Sequence, residues 1–184
     1  PPPNATVWTG RRRHAVTYLL RGGSVANFVG VVERKAKHVE SWTEQGSRED
    51  ALADFQRWHP AVTGIIEAAP VLHRWALYDR DELPKWRSGR VVLMGDACHP
   101  MLPFLAQGAV MAIEDAYVLA RELSEAATVQ DALASYESLR KPRTSRVQAG
   151  ARENARLFHR SNPVTQMSTY GPMWMAGRMM KGVI

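Results

Sequence analysis

One stretch limits what this chain can become more than any other: Arg90 to Leu123, RVVLMGDACHPMLPFLAQGAVMAIEDAYVLAREL. Val91, Val92, Leu93 and Met94 read as a short buried strand, stopped by Gly95 and Asp96. Pro100 and Pro103 follow, and each fixes its own φ and pushes the preceding residue toward extended geometry, so no helix passes through this segment. A helix then opens at Gly108. Its apolar positions, Ala112, Ile113, Ala116, Leu119, Ala120 and Leu123, recur at spacings of three and four and predict one continuous buried stripe.

A strand, a Gly-Asp turn, a proline-stiffened loop and a glycine-led helix make a site for a polar, partly anionic ligand. The helix start offers unpaired N–H groups and partial positive charge. Asp96, just past a strand's carboxyl end, can accept hydrogen bonds from a polyol. The small residues Ala97, Gly108 and Ala109 let a flat ring approach the backbone.

Taken in one register, Gly95-Asp96-Ala97, His99, Pro103, Gln107-Gly108, Glu114-Asp115-Ala116 and Leu119-Ala120 resemble the second flavin-binding motif of the FAD-dependent aromatic-ring hydroxylases. These are single-component flavoprotein monooxygenases that include salicylate and 6-hydroxynicotinate hydroxylases. The resemblance implies a cofactor site formed by Gly95, Asp96, Ala97, Pro103, Gly108, Ala109 and Val110. Asp96 would bind the ribityl and pyrophosphate part of FAD, the loop around Pro103 would pass the isoalloxazine, and the N–H groups of Gly108 to Val110 would meet its pyrimidine edge.

Near the start, His14, Val16, Tyr18 and Leu20 alternate with Ala15, Thr17, Leu19 and Arg21, a strand pattern closed by Gly22-Gly23, with Val25 to Glu33 as the returning strand. His14 and Tyr18 then share a face, about 13 Å apart at roughly 3.3 Å per residue. By pattern alone the pair reads more readily as structural, a half-buried histidine and tyrosine satisfied by their neighbours. The family resemblance extends to this segment, because hydroxynicotinate-type members carry a histidine and a tyrosine at this spacing before an arginine-glycine turn. It implies that His14 and Tyr18 line a substrate pocket and act in catalysis. Leu20 departs from the family, where proline is frequent.

Elsewhere the signals are weaker. Glu40 to Gln45 carries Trp42, Ser47 to Trp58 reads as a capped helix, Ala61 to Glu67 as a short one, and Val71 to Tyr78 as a strand. Asp79 to Gly89 is turn-rich and predicts a crossing between domains, with Trp86 as a packing residue. Val129 to Gln148 and Val147 to Arg160 read as two helices, with Pro142 kinking or interrupting the first. The methionine-rich end, from Asn162, predicts a tail that packs on the body or on a second subunit. Three parts result: residues 1–85 in a substrate domain, 86–160 in a cofactor domain, and 161–184 as the tail.

The formal charge of +6 admits an acidic partner, yet the basic residues are scattered and carry no nucleic-acid motif. Arg11 to Arg13, and Arg152, Arg156 and Arg160, read as solvated faces, and no nucleic-acid partner is expected. No apolar run approaches the roughly 20 residues of a membrane span, and no secretory signal opens the chain, so a cytoplasmic protein is expected. Cys98 is the only cysteine and reads as a small buried filler. His38, His59 and His73 lack metal-ligand spacing, so no metal is expected.

A G-x-G-x-x-G turn, which family members use near their start to seat the FAD pyrophosphate, is absent from this sequence. The expectation is therefore the C-terminal half of a family member, without the N-terminal FAD-binding half. The expected fold is mixed α/β: part of an antiparallel substrate-domain sheet, then the last parallel strand and C-terminal helices of a FAD-binding domain. The resemblance implies that NADH or NADPH reduces FAD, that dioxygen adds at the flavin C4a, and that the hydroperoxide hydroxylates a small phenolic or hydroxypyridine carboxylate. A homodimer through the C-terminal helices is a further expectation. Epoxidation or halogenation on the same fold, a non-catalytic truncated homologue or scaffold, and a basic nucleic-acid module stay open as alternatives.

Overall fold

The computed structural model describes residues 4–34 and 43–179; His38 and most of the segment around Trp42 lie outside the described residues. The chain divides into two compact units, one of residues 1–76 with 157–184 and one of residues 77–156. Helices and antiparallel strands together make the mixed α/β architecture that the sequence predicts.

In the first unit, β1 (Thr6–Gly10), β2 (Arg13–Leu20) and β3 (Val25–Val32) form an antiparallel sheet in that order. β2 and β3 match the expected hairpin, with Gly22 and Gly23 supplying positive φ at the turn. β1 precedes the predicted hairpin. It pairs with β2 through the two residues Arg11 and Arg12, and Arg12 takes a φ of +57°. Arginine carries no turn signal; the conformation is held from outside, by Glu33 N–H donating to the Arg12 carbonyl at 3.0 Å and Arg12 Nε donating to Glu33 Oε2 at 3.1 Å. Ala15 and Thr17 are buried on one face of β2, where Ala15 joins Phe55, Val62, Ile66, Trp8 and Phe28 in the unit's core.

Two helices supply the rest of that core: α1 (Arg48–Asp54) and α2 (Pro60–Ala68). Ser47 caps α1 by accepting the Asp50 N–H at 3.1 Å, as expected. The helix ends four residues short of Trp58, and Arg57 adopts positive φ so that Phe55 and Trp58 meet edge-to-face. Val71 to Tyr78 is not the predicted strand. Among the described residues its only ladder pairing is a single bridge, Gln45 to His73. His59 accepts the Ala61 N–H at the start of α2 and stacks on Trp8.

The second unit holds β4 (Arg87–Ser88), β5 (Val91–Val92), α3 (Gly108–Glu125) and most of α4 (Val129–Phe158). Three expectations need correction here. The strand at 91–94 is two residues long, pairs antiparallel with β4 and leaves Val91 67% exposed, so it is neither parallel nor buried; a parallel ladder needs a neighbour that no described segment provides. The predicted stripe on α3 faces inward only in part: Ala112 and Leu119 are half-buried, but Ile113 is 70% exposed and Ala116, Ala120 and Leu123 are exposed, while Met111 and Asp115 are fully buried. Periodicity located the helix but misjudged its rotation, because the buried position at 115 is a carboxylate. Finally, α4 runs unbroken through Pro142. Residues 138, 142 and 143 are all solvent-exposed, so the carbonyl that loses its N–H partner can be hydrated instead.

Trp86, Cys98 and Tyr136 form the core of this unit, with Leu83, Val92, Val118 and Leu119 around them. The packing roles expected of Trp86 and Cys98 are what the structure shows. The methionine-rich segment forms α5 (Pro163–Met179) in the first unit. Asn162 caps it by accepting the Val164 N–H, and Arg160 donates to Thr169 Oγ1 at 2.6 Å. Arg152 is no solvated face either, since it pairs with Asp79 and Asp81.

Candidate functional site

Gly95 begins the site. Its φ of +60° strains any residue with a Cβ, and such a Cβ would lie 3.2 Å from the Cβ of Ala112. The chain can therefore turn here against α3 only with glycine. Residues Gly95–Ala97 make one 3₁₀ turn, whose opening carbonyl accepts the N–H groups of Cys98 and His99 at 3.0 Å each.

The turn is bound to α3 by Asp115. Its Oδ2 accepts the Gly95 N–H at 3.0 Å and His99 Nε2 at 2.6 Å, and its Oδ1 accepts Arg140 Nε at 2.7 Å. Burial alone would raise this carboxyl's pKa; the hydrogen bonds from His99, Arg140 and Gly95 outweigh that and hold it below the ordinary value. Arg140 also donates to Glu114 Oε2 at 2.8 Å, and Arg143 donates to both Glu114 oxygens. These bonds, from Arg143 first, keep Glu114 ionised down to about pH 2. Both acids of the Glu114-Asp115 pair are thus tethers between α3, α4 and the turn.

With Gly95 and His99 held inward, Asp96 and Ala97 point out to solvent. Pro103 opens a second 3₁₀ turn, Pro103–Leu105, and Ala106 turns left-handed before α3 starts. Two α4 side chains brace this loop: Gln148 donates to the Pro100 carbonyl at 2.8 Å and Asn154 to that of Phe104 at 3.0 Å. No side chain caps the start of α3, and Ala109 and Val110 are exposed. A Cβ added at Gly108 would sit 3.9 Å from Asp96 Oδ1 and 3.8 Å from Met101 Cγ, so glycine keeps open the space between the carboxylate and the helix start. Gly95, Asp96, Ala97, Pro103, Gly108, Ala109 and Val110 are brought together along one path. An open cradle with a carboxylate on one side and unpaired N–H groups on the other fits a flavin's polyol and pyrimidine edge.

Cys98, His99 and Asp115 place potential metal-ligand atoms within 4.8 Å of one another. Burial, then the charge of Asp115, pushes the Cys98 thiol up to about 12, and the Arg140 guanidinium lies against the carboxylate. A thiol held protonated opposes metal binding, and His99 Nε2 is already hydrogen-bonded to Asp115.

His14 and Tyr18 share a face of β2, as the alternation predicts. Residues paired directly across the sheet join that face: Thr9 and Val31 flank His14, Val7 and Val29 flank Val16, and Asn27 lies opposite Tyr18. His14 is 1% exposed, and Tyr18 is half-buried. The His14 ring lies against Phe158, and its Nδ1 is 2.6 Å from His159 Nε2. His159 Nδ1 is in turn 2.8 Å from Glu33 Oε1. Burial, with His159 alongside, lowers the His14 pKa to about 4. Sequence reasoning missed His159, Glu33 and Asn27. His159 is 145 positions from its partner, a separation at which no local pattern operates. Asn27 was legible in principle, as the cross-strand partner of Tyr18 in a hairpin whose turn was recognised. Its Nδ2 is buried with no hydrogen-bond partner among the described residues.

The strand, 3₁₀ turn, braced loop and uncapped glycine-led helix define a cofactor-binding module with an antiparallel sheet beside it in sequence. Residues 5–151 match the FAD binding domain family, and the chain belongs to that family. Among its relatives, a 6-hydroxynicotinate 3-monooxygenase of Bordetella bronchiseptica is 42% identical over 161 residues, covering 85% of this chain and 42% of the relative. A salicylate hydroxylase of Pseudomonas putida is 34% identical over 168 residues, covering 86% of this chain and 39% of the relative. Solved structures agree. A salicylate hydroxylase substrate complex has a TM-score of 0.80 at 26% identity, covering 97% of this chain and 46% of that one. Klebsiella pneumoniae HpxO complexed with FAD and uric acid has a TM-score of 0.81 at 25% identity, covering 99% and 47%. The chain spans less than half the length of the curated relatives it matches.

Proposed function

We propose that this chain is the substrate-sheet and flavin-edge part of a FAD-dependent, NAD(P)H-consuming monooxygenase that hydroxylates a small phenolic or hydroxypyridine carboxylate. The observation that carries this reading is the cradle from Gly95 to Val110, in a chain 42% identical to a 6-hydroxynicotinate 3-monooxygenase. Bound FAD, reduced by NADH or NADPH, would supply the activation of dioxygen. Asp96 would accept hydrogen bonds from the ribityl chain, and the N–H groups of Gly108, Ala109 and Val110 would meet the pyrimidine edge.

On β2, His14 and Tyr18 would act on the substrate. A neutral His14 can take the proton of a ring hydroxyl and so favour the electron-rich, ionised ring that electrophilic hydroxylation requires. Tyr18 would orient the ring over the Val7, Val16 and Val29 floor. A nucleotide-binding half, outside these 184 residues, would hold the pyrophosphate and adenosine. A cytoplasmic location goes with this reading, since NAD(P)H is drawn from that compartment.

The test is the complete protein, desalted and scanned for flavin absorbance, then assayed for NADH and NADPH oxidation with a panel of hydroxybenzoates and hydroxypyridine carboxylates. Stoichiometric FAD and substrate-stimulated oxidation with a hydroxylated product support the reading. Tyr18→Phe and His14→Ala should slow hydroxylation or release more hydrogen peroxide per NADH, with FAD binding unchanged. Flavin-free protein that oxidises neither nucleotide with any of these acids would overturn it.

A further inference from the structure

The run Arg11-Arg12-Arg13, which by sequence reads as a solvated face, is folded into a cleft. The three residues make the β1–β2 turn and the first position of β2, and together with Trp58 they line an open cavity of about 420 Å³ in the first unit. Trp58 is fixed there from two directions. Its indole lies so close to Gly10, the last residue of β1, that a Cβ on that glycine would come within 2.6 Å of Trp58 Cζ2. Phe55 meets the same ring edge-to-face, with centroids 4.9 Å apart. The cleft therefore has a rigid aromatic wall already in place.

The cations are set in order as well. Arg12, at a φ of +57°, has its carbonyl bonded by the Glu33 N–H, and its Nε donates to Glu33 Oε2 at 3.1 Å. Arg13 donates to the Asp54 carbonyl. Both carboxylates near the turn already have a second partner, His159 for Glu33 and Arg34 for Asp54. Arg11 is exposed, and its guanidinium has no ion-pair or hydrogen-bond partner among the described residues. Positive charge on the cleft wall is thus in excess of what the neighbouring acids take up, and the turn backbone that carries it is held by β3.

We propose that this cleft binds the phosphate end of the reduced pyridine dinucleotide. The inference rests on the proposed function, which makes NADH or NADPH a reactant. The cavity falls within the roughly 300 to 1,000 Å³ of small-molecule sites. Guanidinium groups match phosphate oxygens with paired, charge-assisted hydrogen bonds, and an indole offers a flat surface to a nucleoside ring. The aromatic acid brings a single carboxylate and would leave most of these donors unmatched, whereas a dinucleotide brings a diphosphate, and NADPH a ribose phosphate besides. The cleft supplies affinity only; no bond is made or broken in it, and the hydride leaves from the nicotinamide end.

The test is anaerobic stopped-flow reduction of the flavin in the complete protein, at rising NADH or NADPH, which separates the nucleotide Kd from the limiting reduction rate. Arg11→Gln and Arg11→Glu alter an exposed side chain without a partner, so the fold is not at stake. Both should raise the nucleotide Kd, Arg11→Gln by about five- to tenfold, as loss of a hydrogen bond to a charged group implies. The limiting rate, the FAD content and the Kd of the aromatic acid should stay as in the parent, and inorganic pyrophosphate should compete with the nucleotide in the parent but weakly in the variants. Arg146→Gln, an exposed arginine of the second unit, controls for general loss of positive field and should leave the Kd unchanged. A parent-like nucleotide Kd in both Arg11 variants, or an equal rise in Arg146→Gln, would overturn the inference and leave the proposed function standing. A rise confined to the Kd of the aromatic acid would overturn it too. A parent flavin that neither nucleotide reduces would remove the proposed function, and this inference with it.

Discussion

The Asp115 carboxylate accepts the backbone N–H of Gly95 at 3.0 Å, joining the second turn of α3 to a residue twenty positions earlier in the chain. That bond explains why a carboxylate occupies the inward face of the helix. It also explains how Asp96 comes to point outward, since Gly95 before it and His99 three residues after it are drawn in. Two aspartates of one motif therefore divide the work: Asp115 holds the turn, and Asp96 is presented by it.

Asp115→Asn should destabilise the second unit by about 2 to 4 kcal/mol, because it removes the charge facing a buried guanidinium and replaces an acceptor of three hydrogen bonds. Arg140 keeps Glu114 as a partner, which limits the loss. Urea denaturation followed by circular dichroism measures it, and an unchanged midpoint would mean that the network contributes nothing net.

Asp96→Ala should behave in the opposite way. The side chain is exposed, so the fold should be unaffected, whereas FAD affinity in the complete protein should fall about ten- to a hundredfold, the loss of roughly 1.5 to 3 kcal/mol for hydrogen bonds to a charged acceptor. Flavin fluorescence titration decides this. Equal affinity for both proteins would take Asp96 out of the cofactor site.

Gly95→Ala should cost about 1 to 3 kcal/mol, combining left-handed backbone strain with a methyl contact at 3.2 Å to Ala112. Ala112→Gly in the same chain removes the contact but not the strain. Partial recovery of the denaturation midpoint in the double variant is the expected outcome, and full recovery would mean that backbone strain plays no part.

His14 makes stability depend on pH. Folded, it resists protonation until about pH 4, while in the unfolded chain it takes a proton near 6.5. Between those values the unfolded state binds more protons, so stability rises with pH there: the contribution is intact above about 6.5 and lost as the pH falls toward 4, up to about 3 kcal/mol in all. Glu33, with its lowered pKa, loses its contribution only below its ordinary value of 4.5, at the lower end of that range. Denaturation curves from pH 7.5 to 4.5 should slope downward for the parent and flatten for His14→Gln.

The isolated chain should bind FAD weakly and tend to self-associate. Val91, Met94, Ile113 and Tyr117 are exposed around the short hairpin and on α3, and the cradle offers a flavin one helix start. Light scattering and flavin absorbance after desalting test both points. A monomeric yellow preparation would show that the cradle suffices by itself.

Sequence alone determined the β2–β3 hairpin, the Ser47 cap, the strand-turn-loop-helix order from Val91 onward and the family itself, because each depends on residues close together in the chain: a Gly-Gly turn, a hydroxyl three residues before an N–H, glycines and prolines at fixed offsets. It also named Asp96 and Gly108 as cofactor-site candidates, which the fold brings close to each other. Only the tertiary structure decided the rest. The rotation of α3 follows from a buried carboxylate that pairs with Arg140 on another helix, and hydrophobic periodicity cannot anticipate a polar group on the inward face. The uninterrupted course of α4 through Pro142 depends on solvent reaching the carbonyl left unpaired. The turn at Arg12 and the burial of His14 depend on Glu33 and His159, brought in from the end of β3 and from the far end of α4. Such partners are selected by hydrogen-bond geometry in three dimensions, and spacing along the chain carries no trace of them.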